Sequence, residues 1–390
     1  MADQVAQEVL FEITRDKLET GMRGYPVGYC TTSTVDPEKG LFYGGLPLSE
    51  IGGREPMEAL FLLYNGREGT ESEVSDFSDD IEARASCSPD LISHIQALPK
   101  EGHPMKLFAA AILIAAMYEG SGDYKEDCLN VVAKMPLIAA AVINHHAGWG
   151  NLGKSQPELG YIENFTKMLN VPGADYDALV RVFKLFNILH YDHGGGNLSA
   201  FIGKGVASGL EDMYGSLAAA MCALAGPRHG KANQDSLEFV KKVLEELGTE
   251  ATAQDVGALV KRMLEEKQLI YGFGHAVLRV EDPRATLLYR VAKELYPEDP
   301  LVKIALLLRE EAPKVLSKNP KISDPYPNVD AISGTVLSAA GFPYPEYFTV
   351  LFGMARCLGI ARQIVYERLE AREEKGTPII RPKYYYKEPL

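Results

Sequence analysis

Positive charge is what this sequence has least of. Its 390 residues carry 40 Lys and Arg against 53 Asp and Glu, a formal net charge of −13 and a pI of about 5.2. Neutralising nucleic-acid phosphates needs a basic surface, and the balance runs the other way. A polybasic membrane contact is excluded on the same ground. Small anions are not excluded, provided a few arginines converge locally. Cysteine is scarce too: Cys30, Cys87, Cys128, Cys222 and Cys357 are odd in number, widely spaced and contain no C-x-x-C. Free thiols in a reducing compartment are expected. Long apolar runs are missing. The longest, Leu107 to Tyr118, falls short of the roughly 20 residues that span a bilayer and reads as a buried helix. The N-terminal stretch "MADQVAQEVLFEITRDKLETG" has no signal-peptide core, and its acids argue against a transit peptide, so a cytoplasmic protein is expected. No repeat and no low-complexity tract is present.

What is there is mainly helical patterning. Residues 20–50 are rich in Gly, Pro and Thr, and "VGYCTTSTV" and "LFYGG" predict short strands. Helices follow. "MEALFLLYNG" stops at Asn-Gly, and residues 67–90 read as a solvated acidic face. "MKLFAAAILIAAMY" and "VVAKMPLIAAAVINHH" are apolar nearly all round, as core helices are. "SLEFVKKVLEELG" sets Leu237, Val240, Leu244 and Leu247 on one stripe and closes at Gly248. "EYFTVLFGMARCLGIARQIVYERLEAREEKG" predicts one long helix before the tail "TPIIRPKYYYKEPL". The fold class is mainly α, with a few short N-terminal strands.

Eight histidines are available, and His190, His193, His229 and His275 lie at helix ends or glycine-rich breaks: "LHYDHGGGN", "LAGPRHGKANQ" and "YGFGHAV". Each alone reads as a cap or a packed ring. Together they also fit a site, because glycine lets backbone approach a ligand and helix N-termini offer N–H groups to anions. His190 and His193 form H-x-x-H, yet no third metal ligand is evident and no metal is expected. "GFGHAV" lacks the third glycine of a nucleotide loop and sits in no βαβ unit, which excludes Rossmann or P-loop binding. Arg356 lies inside an apolar helix, sharing a face with Phe352 and Ile360. A buried guanidinium needs an anion, either a protein carboxylate or a bound one. Asp330 in "PNVDAISG" is an Asx-turn or capping residue, or a general base in a closed cleft.

Four motifs in order, "LAGPRHGKANQ", "GFGHAVLRVEDPR", "PNVDAISG" and "TVLFGMARCLG", resemble the citrate synthase family, in its branch with the mitochondrial enzymes, and the likeness runs from Gly21 to Arg381. The resemblance implies a two-domain, mainly α homodimer: residues 1–228 plus 337–390 as the large domain, and 229–336 as a small domain carrying most catalytic residues. It implies condensation of acetyl-CoA with oxaloacetate and water to citrate and CoA, with no cofactor beyond these substrates. By motif match Asp330 is the base, His229 bonds the thioester oxygen as the enol forms, and His275 polarises and protonates the ketone. His193, Arg284 and Arg356 grip oxaloacetate, with Arg381 reaching from the other subunit. Arg279, Gly272 and Gly274 meet CoA. A histidine close to the start of the "SLEFVKKVLEEL" helix is expected to stay neutral under the helix dipole.

Three positions depart from the family pattern: Gly44 stands for an arginine, Gly194 for an acid and Ile332 for a histidine. The alternatives weighed are methylcitrate synthase acting on propionyl-CoA, citryl-CoA lyase, and a non-catalytic CoA-binding helical scaffold. No ATP-grasp or CoA-ligase segment supports a fused ATP-dependent lyase. A scaffold has no use for a carboxylate and two imidazoles at three separate helix breaks.

Overall fold

A computed structural model describes residues 8–388, in two compact units that divide between Cys30 and Thr31. The first unit holds one 3-10 turn, Arg15–Lys17, and a ring contact between Phe11 and Tyr25 at 4.5 Å.

The second unit begins with three antiparallel strands in sequence order, β1 (Ser33–Asp36), β2 (Gly40–Tyr43) and β3 (Leu46–Pro47), with Ser33 opposite Tyr43 and Asp36 opposite Gly40. The Asp36 carboxylate makes the hairpin turn by accepting the N–H groups of Glu38 and Lys39 at 2.9 and 2.8 Å.

Sixteen α-helices follow among the described residues. They are α1 (Leu48–Ile51), α2 (Pro56–Asn65), α3 (Glu71–Arg84), α4 (Pro89–Gln96), α5 (Pro104–Glu119), α6 (Tyr124–Ala147), α7 (Tyr161–Met168), α8 (Tyr176–His190), α9 (Leu198–Ala207), α10 (Met213–Leu224), α11 (Ala232–Leu247), α12 (Ala253–Glu265), α13 (Pro283–Leu295), α14 (Pro300–Leu316), α15 (Asp330–Ala339) and α16 (Phe348–Val365). The mainly α class read from the sequence stands. Start and stop chemistry explains many of the boundaries. Thr70 and Thr252 build capping boxes with Glu73 and Asp255, and prolines open α2, α4, α5, α13 and α14. Gly66 ends α2 in the left-handed region at φ 70°, as the Asn-Gly stop predicts. The acidic α3 buries only Ile81.

The two longest apolar helices, α6 and α16, are almost wholly buried and pack against each other, so their apolarity serves the core. The helix expected to run from Glu346 to Gly376 is shorter. It ends at Val365, passes into a π turn over Tyr366–Glu370, and is followed by Arg372, Glu373 and Glu374 in the left-handed region. There the chain folds back, and the Thr377 N–H donates to Glu367 O at 2.7 Å.

Candidate active site

His229 lies in the tight turn between α10 and α11, where Gly230 N–H donates to Leu224 O at 2.9 Å. A Cβ on Gly230 would stand 2.7 Å from that same oxygen, so the turn requires glycine. The His229 Nε2 faces Ser199, with its backbone N–H at 3.2 Å and its hydroxyl at 2.9 Å. A backbone N–H can only donate. Nε2 is therefore an acceptor, and the ring proton falls on Nδ1. Burial, with Arg356 nearby, lowers the imidazole pKa to about 4. The ring nitrogen faces the first turn of α9, whose N-cap is Asn197, while the His229 carbonyl accepts at 3.2 Å the N–H of Ala232, the first residue of α11. Ser199 was missed in the sequence, although "GGGNLSA" carries the Asn N-cap signature that places it.

His275 is the opposite tautomer. Its Nδ1 accepts the backbone N–H groups of Val277 at 3.0 Å and Leu278 at 2.9 Å, which leaves the proton on Nε2. Burial, then Arg284, lowers this imidazole to about 4 as well. Its ring lies 5.3 Å from that of His193. The His193 Nε2 is buried without a hydrogen-bond partner, and burial followed by Arg284 keeps the ring well below its ordinary pKa.

Asp330 is the first residue of α15, and Asn328 sets its position. The Asn328 Oδ1 accepts the Asp330 N–H at 2.9 Å, its Nδ2 donates to Gly274 O at 2.8 Å, and its backbone N–H donates to Gly272 O at 2.9 Å. One side chain thus ties the His275 loop to the base. Gly272 (φ 81°) is needed because a Cβ there would sit 2.6 Å from Ala331 Cα. Burial raises the Asp330 carboxyl to about 7, against the pull of Arg284.

Arg284 is 4% exposed and pairs with Asp282 through Nη2 at 2.7 Å and Nε at 3.1 Å. Arg356 is 1% exposed. Its Nε donates to His190 O at 2.9 Å, its guanidinium lies 4.7 Å over the Phe352 ring, and its Nη2 is buried with no partner. No ion pair to it occurs among the described residues, so no carboxylate among them occupies this guanidinium. Burial lowers its pKa to about 10, and Asp192 resists that shift. His229 meets the same Phe352 ring at 6.4 Å, which joins it to this group.

His193, His229, His275, Arg284, Arg356 and Asp330 therefore share one electrostatic neighbourhood. Arg279 borders it, exposed, with Nη1 donating to the carbonyls of Val277 at 3.1 Å and Leu278 at 2.6 Å. Arg381 lies outside it, on the exposed tail. The H-x-x-H pair does not act as a unit: His190 Nδ1 bonds Phe186 O at 2.6 Å, its ring stacks on Phe186, and no metal-binding cluster occurs among the described residues.

The family described as citrate synthase, C-terminal domain, matches residues 21–383. The chain belongs to the citrate synthase family. It is 36% identical to citrate synthase 4, mitochondrial, of Arabidopsis thaliana, over 96% of this chain and 82% of that relative. It is also 36% identical to the mitochondrial citrate synthase of Citrus maxima, over 96% and 83%. Among solved structures, citrate synthase from Thermotoga maritima MSB8 matches with a TM-score of 0.80 and 28% identity, covering 96% of each chain. The Thermoplasma acidophilum citrate synthase, in its ternary complex with carboxymethyl coenzyme A and oxaloacetate, matches with a TM-score of 0.81 and 25% identity, covering 96% and 97%.

Gly44, Gly194 and Ile332 sit in different local settings. Gly44 (φ 53°) and Gly194 (φ 71°) occupy left-handed backbone that disfavours side chains, and a Cβ on Gly44 would be 2.7 Å from Leu62 Cδ1. Ile332 is fully buried in the core.

Proposed function

We propose that this site condenses acetyl-CoA with oxaloacetate and water to give citrate and CoA, with Asp330 as base and the two neutral histidines as donors. The observation that carries the reading is their opposed tautomers, together with Asn328, which ties the His275 loop to the backbone of Asp330, a carboxyl raised to about 7 by burial. A thioester methyl is a very weak acid, so its proton leaves only if the developing enolate oxygen meets a preorganised donor. His229 Nδ1–H supplies it, held by the fixed N–H of Ser199. Asp330 takes the proton. The new carbon–carbon bond forms at the oxaloacetate ketone carbon, and His275 Nε2–H donates to the ketone oxygen as it becomes an alkoxide. Water then cleaves the thioester and releases CoA. Neutral rings suit both roles, because each donates from one nitrogen while the other accepts the backbone N–H groups that hold it, which an imidazolium could not do. Arg284, Arg356 and His193 receive the oxaloacetate carboxylates and carbonyl, and Arg279 meets CoA phosphate at the rim. Gly272 and Gly274 lie in the same loop, and their close backbone packing shapes the CoA side. Release of CoA thiol, measured with each substrate omitted in turn and with propionyl-CoA in place of acetyl-CoA, tests the reading.

The working assembly belongs to the same proposal. On α5, Leu113 and Met117 are exposed on one face, and the tail exposes Ile379, Ile380 and Tyr384 to Tyr386. A second copy covering them makes a homodimer in which Arg381 reaches the partner's site. Residues 229–336 supply His229, His275, Arg284 and Asp330, while His193 and Arg356 come from outside that range. Closure of this smaller domain on oxaloacetate would complete the site before acetyl-CoA reacts. Cytoplasmic localisation is part of the same proposal, resting on the wide, unpaired cysteine spacing of the sequence. The relatives named mitochondrial make cell fractionation the direct check.

A further inference from the structure

Asp192 is fully buried, and no cation bonds it among the described residues. An uncompensated carboxylate in a core is costly unless donors surround it. Three do, from two separate elements. The Thr32 hydroxyl and, at 2.7 Å, the Ser33 hydroxyl face Oδ2 from β1 and the residue before it. The Gln363 Nε2 donates to Oδ1 at 2.9 Å from α16. The Ser33 oxygen in turn accepts the Gly194 N–H at 2.7 Å, so its proton is committed to Asp192. The backbone is gripped as well: Tyr43 hydroxyl donates to Asp192 O at 3.2 Å or Ile188 O at 3.1 Å.

This cluster sits where the site's two anion-facing groups are fixed. His193 is the next residue in the chain. Arg356, Gly359 and Gln363 follow one another along one face of α16 at helical spacing. A Cβ on Gly359 would lie 2.4 Å from Tyr191 O and 2.6 Å from the Asp192 carboxyl, so the helix is hollowed there to admit the carboxylate. Arg356, one turn earlier, is held by His190 O and keeps its Nη2 free.

We propose that Asp192 is a positioning residue for oxaloacetate: it acts through His193 and Arg356, locking the His193 loop to α16 and serving as a counter-charge that Arg356 does not touch. The separation is the point. A carboxylate in direct contact would occupy Nη2, whereas one a helical turn away balances the charge and leaves the donor for substrate. This inference rests on the oxaloacetate reading above.

The test compares wild type with Asp192→Asn, which keeps the shape and loses the charge, in steady-state kinetics and thermal melts. The KM for oxaloacetate should rise at least tenfold, while kcat at saturation falls less than fivefold and the KM for acetyl-CoA changes less than twofold. Unchanged oxaloacetate KM, or an equal rise in both KM values with a lowered Tm, would overturn it. If the Asn variant does not fold, Gln363→Leu carries the test, with a smaller rise confined to oxaloacetate; a rise shared by both substrates, or none, overturns it. A wild-type chain that binds no oxaloacetate in isothermal titration refutes the functional reading, whereas one that binds it beside an unaffected Asn variant refutes only this inference.

Discussion

At the residue scale the protein prepares three protonation states before substrate arrives. His229 and His275 are both lowered to about 4, and Asp330 is raised to about 7. The sign for activity follows. The base works as carboxylate, so kcat/KM for acetyl-CoA should climb with pH and level off above about 7. The histidines remain neutral down to about pH 4, so neither adds a limb between pH 5 and 8. A pH–rate profile checks this, and a second ionisation in that window would contradict it. For stability the histidines also favour higher pH: their low native pKa favours the fold above about 6.5, and that contribution fades as pH falls toward 4. Removing the donor is a separate test. His229→Ala should lower kcat by about 10²–10³, the usual loss when one oxyanion donor goes, while oxaloacetate affinity, measured by titration, stays within threefold.

At the scale of elements, backbone contacts do much of the positioning. Asp330 is placed by the approach of the Gly272 loop to the first turn of α15. Gly272→Ala adds a Cβ 2.6 Å from Ala331 Cα at a φ of 81°. Left-handed strain alone costs about 1–3 kcal/mol, so denaturant melts should show a loss of at least that size, with kcat reduced beyond the effect on either KM. The same elements show what could be read from the chain beforehand. Helix stops such as Gly66 and Gly248, the apolar α6 and α16, and short strands somewhere within residues 20–50 were legible, because local chemistry and periodicity determine them, though the strands begin only at Ser33. His229, His275, Asp330 and Arg356 stood out as polar groups in places that local structure does not require. Ser199, Asn328 and Asp282 did not stand out. Ser199 and Asn328 act through partners far along the chain or through the backbone, which no spacing rule encodes, whereas Asp282 caps α13 and pairs with Arg284 only two residues on. The helix expected to reach Gly376 stopped at Val365 because the Thr377 N–H turns back to Glu367, a contact that periodicity cannot express.

At the scale of the whole molecule, the proposed homodimer is tested at the exposed apolar residues of α5. Met117 is 80% exposed, so Met117→Asp should not harm the folded monomer. Sedimentation should show the wild type as a dimer and this variant shifted toward monomer, with weaker oxaloacetate binding if the partner's tail supplies Arg381. A monomeric wild type with full activity would refute that part. The account as a whole stands on Asp330 as the base that makes the enol. The most direct measurement is CoA release from acetyl-CoA and oxaloacetate by wild type and Asp330→Asn. The wild type should require both substrates, and the variant should bind oxaloacetate yet release CoA about 10²–10⁴-fold more slowly, the span expected for a lost general base. An Asn variant that turns over at the wild-type rate would contradict the account.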